Sequence, residues 1–452
     1  MYKRAKMSSE TAKHGYDDIP ARKGLPIIGS ARSYVDDPLE FYMQTAREHG
    51  SIARYQLGNL EIVQLNDPEF VRQVLVQKND VYVKGKRFQD RLRPILGDGI
   101  LTSRRERWKS QRRALEPAFL PNEVERYSTT VTDLTETYSE RWSDGEVRDV
   151  HDEMLSLTVE VIAEVLFDVD VSDQTEEIAW AVNTLVSYVA RRMRRPVQIP
   201  PWVPTSQNRD YKRAIETLHE VADGIIEQNR GADGDGGDVV SLLQEADHEP
   251  SEKEIRDQVV TLLSAGHETT AVSLTCALQL LAAHPEQLAT LQAELDDVLD
   301  GRTPTMADLD ELTYLEQVMK ESLRVYPPIY EMLRTAAEDD VLGEYRIPEG
   351  TTILISQWVL NRNPEYFEDP DEFRPERWTD EFESELPSFV YLPFGIGPRR
   401  CIGDRIAMME TRLILASLLQ EWEFETHVDE LTFTPSVSLR PAEAIEMTLT
   451  RR

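Results

Sequence analysis

The segment from Phe394 to Gly403 has the residues best suited to hold a metal ion through sulfur. It reads Phe-Gly-Ile-Gly-Pro-Arg-Arg-Cys-Ile-Gly, and its Cys401 is one of only two cysteines in 452 residues. Glycines let a backbone approach a flat ligand, while arginines and the N-terminus of a following helix favour an ionised thiol. With ordinary residue usage, five positions spaced in this way would occur by chance about once in ten thousand such chains. The segment therefore predicts a thiolate ligand rather than an ordinary buried cysteine.

This segment resembles the haem-binding loop of the cytochrome P450 family. In that family the cysteine thiolate is the axial ligand of the haem iron, and the first arginine of the pair contacts a haem propionate. The resemblance implies these roles for Cys401 and Arg399, and it makes Phe394 a further haem contact. The implied cofactor is haem b, iron protoporphyrin IX.

A second group of polar residues interrupts a long and mostly apolar helix, which is predicted over 252–284. The residues at 266–270 are Gly-His-Glu-Thr-Thr, and polar residues inside a buried helix need a reason. A zinc-binding His-Glu-x-x-His motif is excluded, because its fifth position is Ala271. Zinc binding therefore does not explain the polar group.

Together with Ala265, these residues resemble the family's Ala/Gly-Gly-x-Asp/Glu-Thr motif, which lies on the helix that crosses the haem. The resemblance implies that Glu268 and Thr269 are catalytic residues that deliver protons to oxygen at the haem. It also implies that Gly266 lets oxygen approach. A threonine hydroxyl bonded to a carbonyl one turn back can open a helix to water, which suits this chemistry.

Two further segments carry candidate ligands for the haem propionates. Trp108 and Arg112 lie one turn apart on a helix that is predicted to begin at the capping box Ser103-x-x-Glu106. The residues alone also allow a solvated basic helix, because other cations surround them. Their spacing resembles the propionate-binding helix of the family, which implies that role for both side chains. Arg334 falls where the family often places another propionate ligand.

A fourth motif combines charged residues that are distant in sequence. Glu321 and Arg324 alone would indicate only a surface ion pair of little weight. The family joins such a Glu-x-x-Arg to the arginine of a later Pro-Glu-Arg-Phe/Trp segment, which here supplies Arg377. Three buried charged groups need each other's hydrogen bonds, so the trio is predicted to support folding and haem retention.

The four motifs occur in the order that the family has, and the resemblance extends from about Pro20 to the C-terminus. It implies a single-domain cytochrome P450 fold, mainly α with a smaller β part formed by N-terminal and late strands. The predicted division is a flexible N-terminal tail, 1–19, and a haem-thiolate monooxygenase domain, 20–452. 

Local patterns predict several elements around these motifs. A helix is predicted to begin at Pro38 and to end at Gly50, and the strands 52–57 and 60–65 are predicted to form a hairpin. The segment 78–100 contains glycines and a proline and lacks clear periodicity. It is therefore predicted to be a long loop.

The chain is strongly acidic, with 82 acidic against 50 basic residues and a net charge of −32. Binding to nucleic acid is therefore disfavoured. An acid-rich, lysine-poor surface is typical of proteins kept soluble in concentrated salt, which predicts a halophilic source. Two isolated cysteines without a Cys-x-x-Cys pair predict a reducing, cytoplasmic location, with Cys276 in the core. No membrane anchor is expected, because no run of about 18 apolar residues occurs.

Two basic clusters stand out against this acidic background. The arginines at 191–195 precede prolines, and a solvated helix end or a site for an acidic substrate would each explain them. The other cluster is formed around the Trp108 helix and the cysteine loop by Arg104, Arg105, Arg107, Lys109, Arg113 and Arg400. It predicts docking of an acidic electron carrier, because no reductase module is recognised in the sequence.

The implied reaction is monooxygenation of a small, largely apolar organic substrate by O2. Fatty acids, terpenoids and steroid-like compounds are the expected classes, and electrons are expected from an external ferredoxin and ferredoxin reductase that use NAD(P)H. The thiolate of Cys401 would favour cleavage of the oxygen–oxygen bond by releasing electron density toward iron. Two alternatives stay open: a haem-thiolate peroxygenase, whose relatives lack the acid–alcohol pair, and a non-catalytic haem sensor or redox binding protein.

Overall fold

The computed structural model describes residues 12–194, 200–230, 238–247, 249–428 and 430–452. Within them the α-helices are α1 (Ala31–Asp36), α2 (Pro38–His49), α3 (Pro68–Arg72), α4 (Lys86–Leu96), α5 (Arg105–Leu115), α6 (Pro121–Ser139), α7 (Val150–Phe167), α8 (Thr175–Arg194), α9 (Ser206–Gln228), α10 (Val239–Gln244), α11 (Glu252–Ala283), α12 (Pro285–Leu299), α13 (Thr313–Val325), α14 (Gln357–Leu360), α15 (Asp380–Glu385) and α16 (Asp404–Glu421). The β-strands are β1 (Ile52–Leu57), β2 (Leu60–Leu65), β3 (Tyr82–Val83), β4 (Glu146–Asp149), β5 (Glu331–Ala336), β6 (Asp340–Leu342), β7 (Tyr345–Ile347), β8 (Thr352–Ser356), β9 (Trp422–Thr426), β10 (Phe433–Pro435), β11 (Leu439–Pro441) and β12 (Glu446–Arg451).

The chain divides into two compact units, each assembled from separate stretches of sequence. The first unit contains Met1–Gln89, Glu331–Asn363 and Pro387–Arg400, and the second contains Asp90–Tyr330, Pro364–Leu386 and Cys401–Arg452. Most helices belong to the second unit, so the predicted fold class, mainly α with a smaller β part, is confirmed. The boundary between a tail at 1–19 and a domain at 20–452 stays a prediction, although Ile19 is only 1% exposed and packs in the core of the first unit.

A five-stranded sheet organises the first unit, with the strand order β1-β2-β8-β5-β3. Its hairpin pairs Ile52 with Leu65, as predicted, and β2 then pairs in parallel with β8. Val63, Leu65 and Ile353 are fully buried in its core. The N-terminal hairpin therefore shares a sheet with two later strands, β5 and β8, whereas the other late strands belong to the separate sheets β6-β7, β10-β11 and β4-β12-β9.

The predicted helix at 38–49 is confirmed as α2, and both of its ends have local causes. Asp37 accepts a hydrogen bond from the Glu40 backbone N at 3.0 Å, and Pro38 takes the first helical position. Gly50, with φ of 74°, ends the helix in a conformation that favours glycine.

The long loop predicted over 78–100 is wrong, because β3 and α4 lie there. Tyr82 in β3 pairs with Ala336 of β5, a partner that is distant in sequence. Pro94 lies inside α4 and hides the helical pattern, and Gly97 follows the helix with φ of 53°. Pairing and packing across long sequence distances therefore override weak local signals in this segment.

The capping box predicted at Ser103 is also wrong. The residue that precedes α5 is Arg104, which makes no side-chain capping bond. Glu106 instead accepts a hydrogen bond from Lys109 Nζ at 2.8 Å. Ser251 does cap α11, since its Oγ accepts from the Glu254 backbone N at 3.3 Å.

The predicted charged trio is confirmed as a buried cluster in the second unit. Oxygen atoms of Glu321 accept from Arg324 Nε at 2.8 Å and from Arg377 Nε at 2.9 Å. The side chains of Glu321 and Arg324 are 0% exposed. Trp378 Nε1 donates a further bond to Glu321 at 2.9 Å. Burial alone would raise the pKa of Glu321, but the arginines hold it below its ordinary value.

Replacing Glu321 by Gln should lower the free energy of unfolding by about 3 to 5 kcal/mol, because two buried arginines lose their counter-charge. The measurement is chemical denaturation of the haem-loaded protein. The matched control is Arg346→Gln, which breaks an exposed pair with Asp339 and should cost less than about 1 kcal/mol. Equal losses in the two variants would contradict a structural role for the buried cluster.

Candidate active site

Cys401 follows a tight turn and precedes the first residue of α16 by three positions. Gly395 and Gly397 of this turn have φ of 66° and 75°, which favours glycine. A Cβ atom at Gly397 would lie 2.4 Å from the carbonyl oxygen of Leu75, so no other residue fits. The Cys401 thiol is exposed, whereas Cys276 is fully buried and burial raises the pKa of its thiol. Cys401 is therefore the cysteine that a ligand can reach.

Three cations lie close together in the first unit. Arg334 belongs to β5, Arg399 belongs to the turn before the cysteine, and Lys84 follows β3. Burial lowers the pKa of Arg334 to about 10. Burial also lowers the pKa of Lys84, and the charges of Arg334 and Arg399 lower it further. Such a set of partly desolvated cations suits the carboxylates that a haem carries, and it places both predicted arginines together.

The sequence does not predict Lys84 as a ligand, because Lys84 lies in the segment 78–100 that is predicted to be a loop. It occurs in the run Lys-Gly-Lys-Arg at 84–87, a basic sequence that could have drawn attention. Phe394 belongs to the same unit and is half-buried just before Gly395. Its contact with haem stays a prediction.

The second unit contains α11, whose middle is buried except at one face. Ala265 is exposed and Thr269 is half-buried, whereas Glu268 and Thr270 on either side of Thr269 are buried. The two residues are four apart, so they share a face. Thr269 Oγ1 donates to the Ala265 carbonyl oxygen at 2.9 Å, which is the bond that the sequence predicted. This face is available to a ligand.

Helix packing explains why a glycine occupies position 266, and the sequence alone did not show this. A Cβ atom there would lie 2.8 Å from Ile162 Cδ1 on α7. The glycine therefore lets α7 and α11 approach closely. The role of Gly266 in oxygen approach stays a prediction.

Glu268 turns away from the face that Thr269 shares with Ala265, since it contacts the strand pair β10–β11. Its Oε1 accepts from Ser438 Oγ at 2.6 Å and lies 3.2 Å from Arg440 Nε. Burial raises the pKa of Glu268, although Arg440 and Ser438 act in the opposite direction. Ser438 and Arg440 were not predicted, because no local pattern marks a partner 170 residues away.

Trp108 and Arg112 lie on α5 in the second unit, four residues apart and both half-buried. Gln111 anchors the helix to α11, because its Nε2 donates to Glu254 Oε1 at 2.9 Å. Beyond the helix, the Phe119 ring lies 3.6 Å from where a Cβ of Gly403 would stand. The helix that carries both predicted ligands is therefore fixed within the unit that contains Cys401.

The basic cluster on α5 is smaller than the sequence indicates. Arg107 pairs with Asp98 at 3.2 Å, and Lys109 pairs with Glu106 at 2.8 Å. Three exposed arginines form no salt bridge with another described residue. They are Arg104, which directly precedes α5, and Arg105 and Arg113 within α5.

The arginines at 191–195 are only partly described. Arg191 Nε donates to the Ser187 carbonyl oxygen at 3.2 Å, and Arg192 donates to the Tyr188 hydroxyl at 3.2 Å. The side chain at 194 and the residues from 195 to 199 lie outside the described residues. Both explanations of this cluster therefore stay predictions.

Within the described ranges, no group of three or more His, Cys, Asp or Glu side chains could hold a metal ion. No helix in the described part of the chain is long and apolar enough to cross a membrane. 

Comparisons with known proteins agree on one family. The profile described as Cytochrome P450 matches residues 19–448. Cyclooctat-9-en-7-ol 5-monooxygenase of Streptomyces melanosporofaciens is 37% identical over 404 residues, covering 88% of this chain and 87% of the relative. Cyclooctatin synthase of the same organism is 35% identical, covering 98% and 96%. Pentalenene oxygenase of Streptomyces avermitilis is 33% identical, covering 95% of both chains.

Proposed function

Because the chain belongs to the cytochrome P450 family, we propose that Cys401 binds the iron of haem b as a thiolate. Membership makes the chain a monooxygenase, an oxidoreductase that incorporates oxygen and that uses haem, O2, an organic substrate and a redox partner. It also agrees with the predicted single-domain cytochrome P450 fold. The observation that carries the proposal is the exposed Cys401 between a glycine turn and the N-terminus of α16.

The carboxylates of the haem would be held by cations and by one indole. Arg334 and Arg399 take this role with Lys84, whose charge lies beside theirs. Trp108 and Arg112 on α5 would bind the haem carboxylates through the indole N–H and the guanidinium. Phe394 would supply an apolar contact.

When bound, the haem supplies activation of O2 and insertion of one oxygen atom into a substrate carbon–hydrogen bond. The chain's own part is to move protons. The Glu268 carboxyl is buried and burial raises its pKa, which suits a group that takes up and releases a proton. Thr269 Oγ1, bonded to the Ala265 carbonyl oxygen, would orient water beside the substrate. This pair favours O2 chemistry over the peroxygenase and sensor alternatives.

The substrate is proposed to be an apolar terpenoid. The relatives are named for cyclooctat-9-en-7-ol, cyclooctatin and pentalenene. Among the three classes expected from the sequence, these names favour terpenoids over fatty acids and steroid-like compounds. A carboxylate substrate would instead engage Arg192, the half-buried arginine of α8.

Electrons are proposed to come from an external ferredoxin and ferredoxin reductase that use NAD(P)H. The support is the exposed group Arg104, Arg105 and Arg113 on a chain with a net charge of −32. A cytoplasmic location is supported by the low number of cysteines, since Cys276 and Cys401 form no disulfide with each other. The halophilic source stays a prediction from composition.

The proposal for Cys401 has an optical test. The carbon monoxide complex of the reduced protein should show the strongly red-shifted band of thiolate ligation, and Cys401→Ser should lose it. The control is Cys276→Ala, which removes the buried cysteine and should keep the band. A histidine-type spectrum from freshly purified, active protein would exclude Cys401 as the ligand.

Thr269→Ala should keep the fold and the haem but release peroxide, because protons no longer arrive in the correct order. The ratio of product formed to NAD(P)H consumed should fall by about tenfold or more. The matched control is Thr270→Ala, since Thr270 Oγ1 makes the same kind of bond, to the Gly266 carbonyl at 2.8 Å, from a buried position. Unchanged coupling in Thr269→Ala and Glu268→Gln would remove both residues from the reaction.

The ferredoxin proposal predicts a salt-dependent defect. Reversal of Arg104 and Arg105 to Glu should slow reduction by ferredoxin about tenfold or more in dilute buffer. The defect should be milder at 1 M salt, where the Debye length is about 3 Å. Reversal of the exposed Arg209 and Lys212 on α9 changes the net charge equally and serves as the control. If the charge-reversed variant is reduced at the same rate as the unchanged protein at every salt concentration, Arg104 and Arg105 do not form the docking surface.

A further inference from the structure

Arg440 in β11 connects the acid of the candidate active site to another helix. The Arg440 Nε lies 3.2 Å from Glu268 Oε1 on α11. The Arg440 Nη1 donates to Asn183 Oδ1 on α8 at 3.0 Å. Ser438, in the turn between β10 and β11, donates to the same Glu268 oxygen at 2.6 Å. The carboxyl of Glu268 is thus held by two side chains from one strand pair.

The environment of this ion pair makes each partner dependent on the other. The Arg440 and Glu268 side chains are only 11% and 8% exposed. A buried carboxylate without a counter-charge takes up a proton, because burial disfavours its charged form. Arg440 therefore favours the carboxylate form of Glu268, and burial favours the carboxylic acid.

Two histidines beside Arg440 do not replace it as a counter-ion. His151 Nδ1 lies 3.1 Å from Thr275 Oγ1, whose own hydrogen is donated to the Ala271 carbonyl oxygen. His267 Nδ1 lies 2.5 Å from the Leu263 carbonyl oxygen. Each Nδ1 must be the donor in these bonds, because the partner oxygen accepts.

In the neutral imidazoles the Nε2 atoms are then unprotonated acceptors. They are buried, and no described residue donates to them. Burial lowers the pKa of His151 to about 3 and that of His267 to about 4, and the charge of Arg440 lowers both further. The histidines stay neutral, and Asp152 of α7, also influenced by Arg440, is an acid. Among these groups Arg440 alone brings positive charge to Glu268.

We propose that Arg440 is a positioning residue that sets the ionisation of Glu268, and that Asn183 on α8 holds Arg440 in place. While Arg440 bonds to Glu268, its charge favours the ionised form against the effect of burial, and the acid is directed toward the strand pair. When Arg440 withdraws, a carboxyl oxygen of Glu268 takes a proton from solvent water and can pass it on. The inference rests on the proposed role of Glu268 in proton delivery, and it links that role to the position of α8.

Infrared spectroscopy of the haem-loaded protein reports the protonated carboxyl of Glu268 directly, and Glu268→Gln identifies its band. In Arg440→Gln the midpoint pH of this band should rise by about 1 to 3 units, because an opposite charge close to a carboxyl lowers its pKa by that amount. Arg440→Lys keeps the charge and should restore most of the original midpoint. Asn183→Ala should raise the midpoint in the same direction by a smaller amount.

An unchanged midpoint in Arg440→Gln, or equal shifts in the Gln and Lys variants, would overturn the inference. If Arg440→Gln does not fold, Asn183→Ala decides, and an unchanged midpoint there overturns the link to α8. The midpoint needs no turnover, so it is independent of the proposed function. If Glu268→Gln leaves coupling of NAD(P)H use to product unchanged, the proton-delivery role fails, whatever the infrared result.

Discussion

The burial of negative charge is the constraint on which much of this structure depends. Three buried carboxyl groups in the second unit differ in how many cations and hydrogen-bond donors surround them. Glu321 accepts bonds from two arginines and an indole, and its pKa falls below the ordinary value. Glu268 has one cation and one hydroxyl, and its pKa rises. Glu410 is 2% exposed, its Oε1 has no hydrogen-bond partner among the described residues, and burial raises its pKa to about 8.

The number of donors around a buried carboxyl group distinguishes a structural role from a role in proton transfer. A carboxylate whose acceptor positions are filled is fixed in one ionisation state, which suits a support for folding. A buried carboxyl with a single movable cation can change state at modest cost, which suits proton transfer. Glu321 and Glu268 differ in this respect more than in burial, so counting donors around a buried acid distinguishes their roles.

The predictions from sequence succeeded where cause and effect are close in the chain. The Asp37 cap, the hairpin and the glycine turn before Cys401 depend on neighbours within a few residues. The family motifs extended this to the Glu321 cluster, since their order in the chain is itself a long-range signal. Much of the fold could therefore be read from the sequence, whereas the roles of the site residues stay predictions.

The misses all depend on partners that are far away in the chain. Helix α4 and strand β3 were obscured by glycines and Pro94, and β3 has its strand partner in β5. Arg440 meets Glu268 through a strand pair near the end of the chain, and Lys84 meets Arg334 in the folded unit. The close packing of Gly266 against Ile162 of α7 was likewise not predicted. Each required knowledge of tertiary packing.

The discontinuous first unit has a consequence for synthesis on the ribosome. Strand β2 ends at Leu65, and its parallel partner β8 begins at Thr352, so β2 emerges about 290 residues before that partner, or about 15 to 60 s at 5–20 residues per second. During that interval one edge of an apolar hairpin has no strand to pair with. Nascent chains of this protein therefore pass through an aggregation-prone period whose length is determined by the order of segments along the gene.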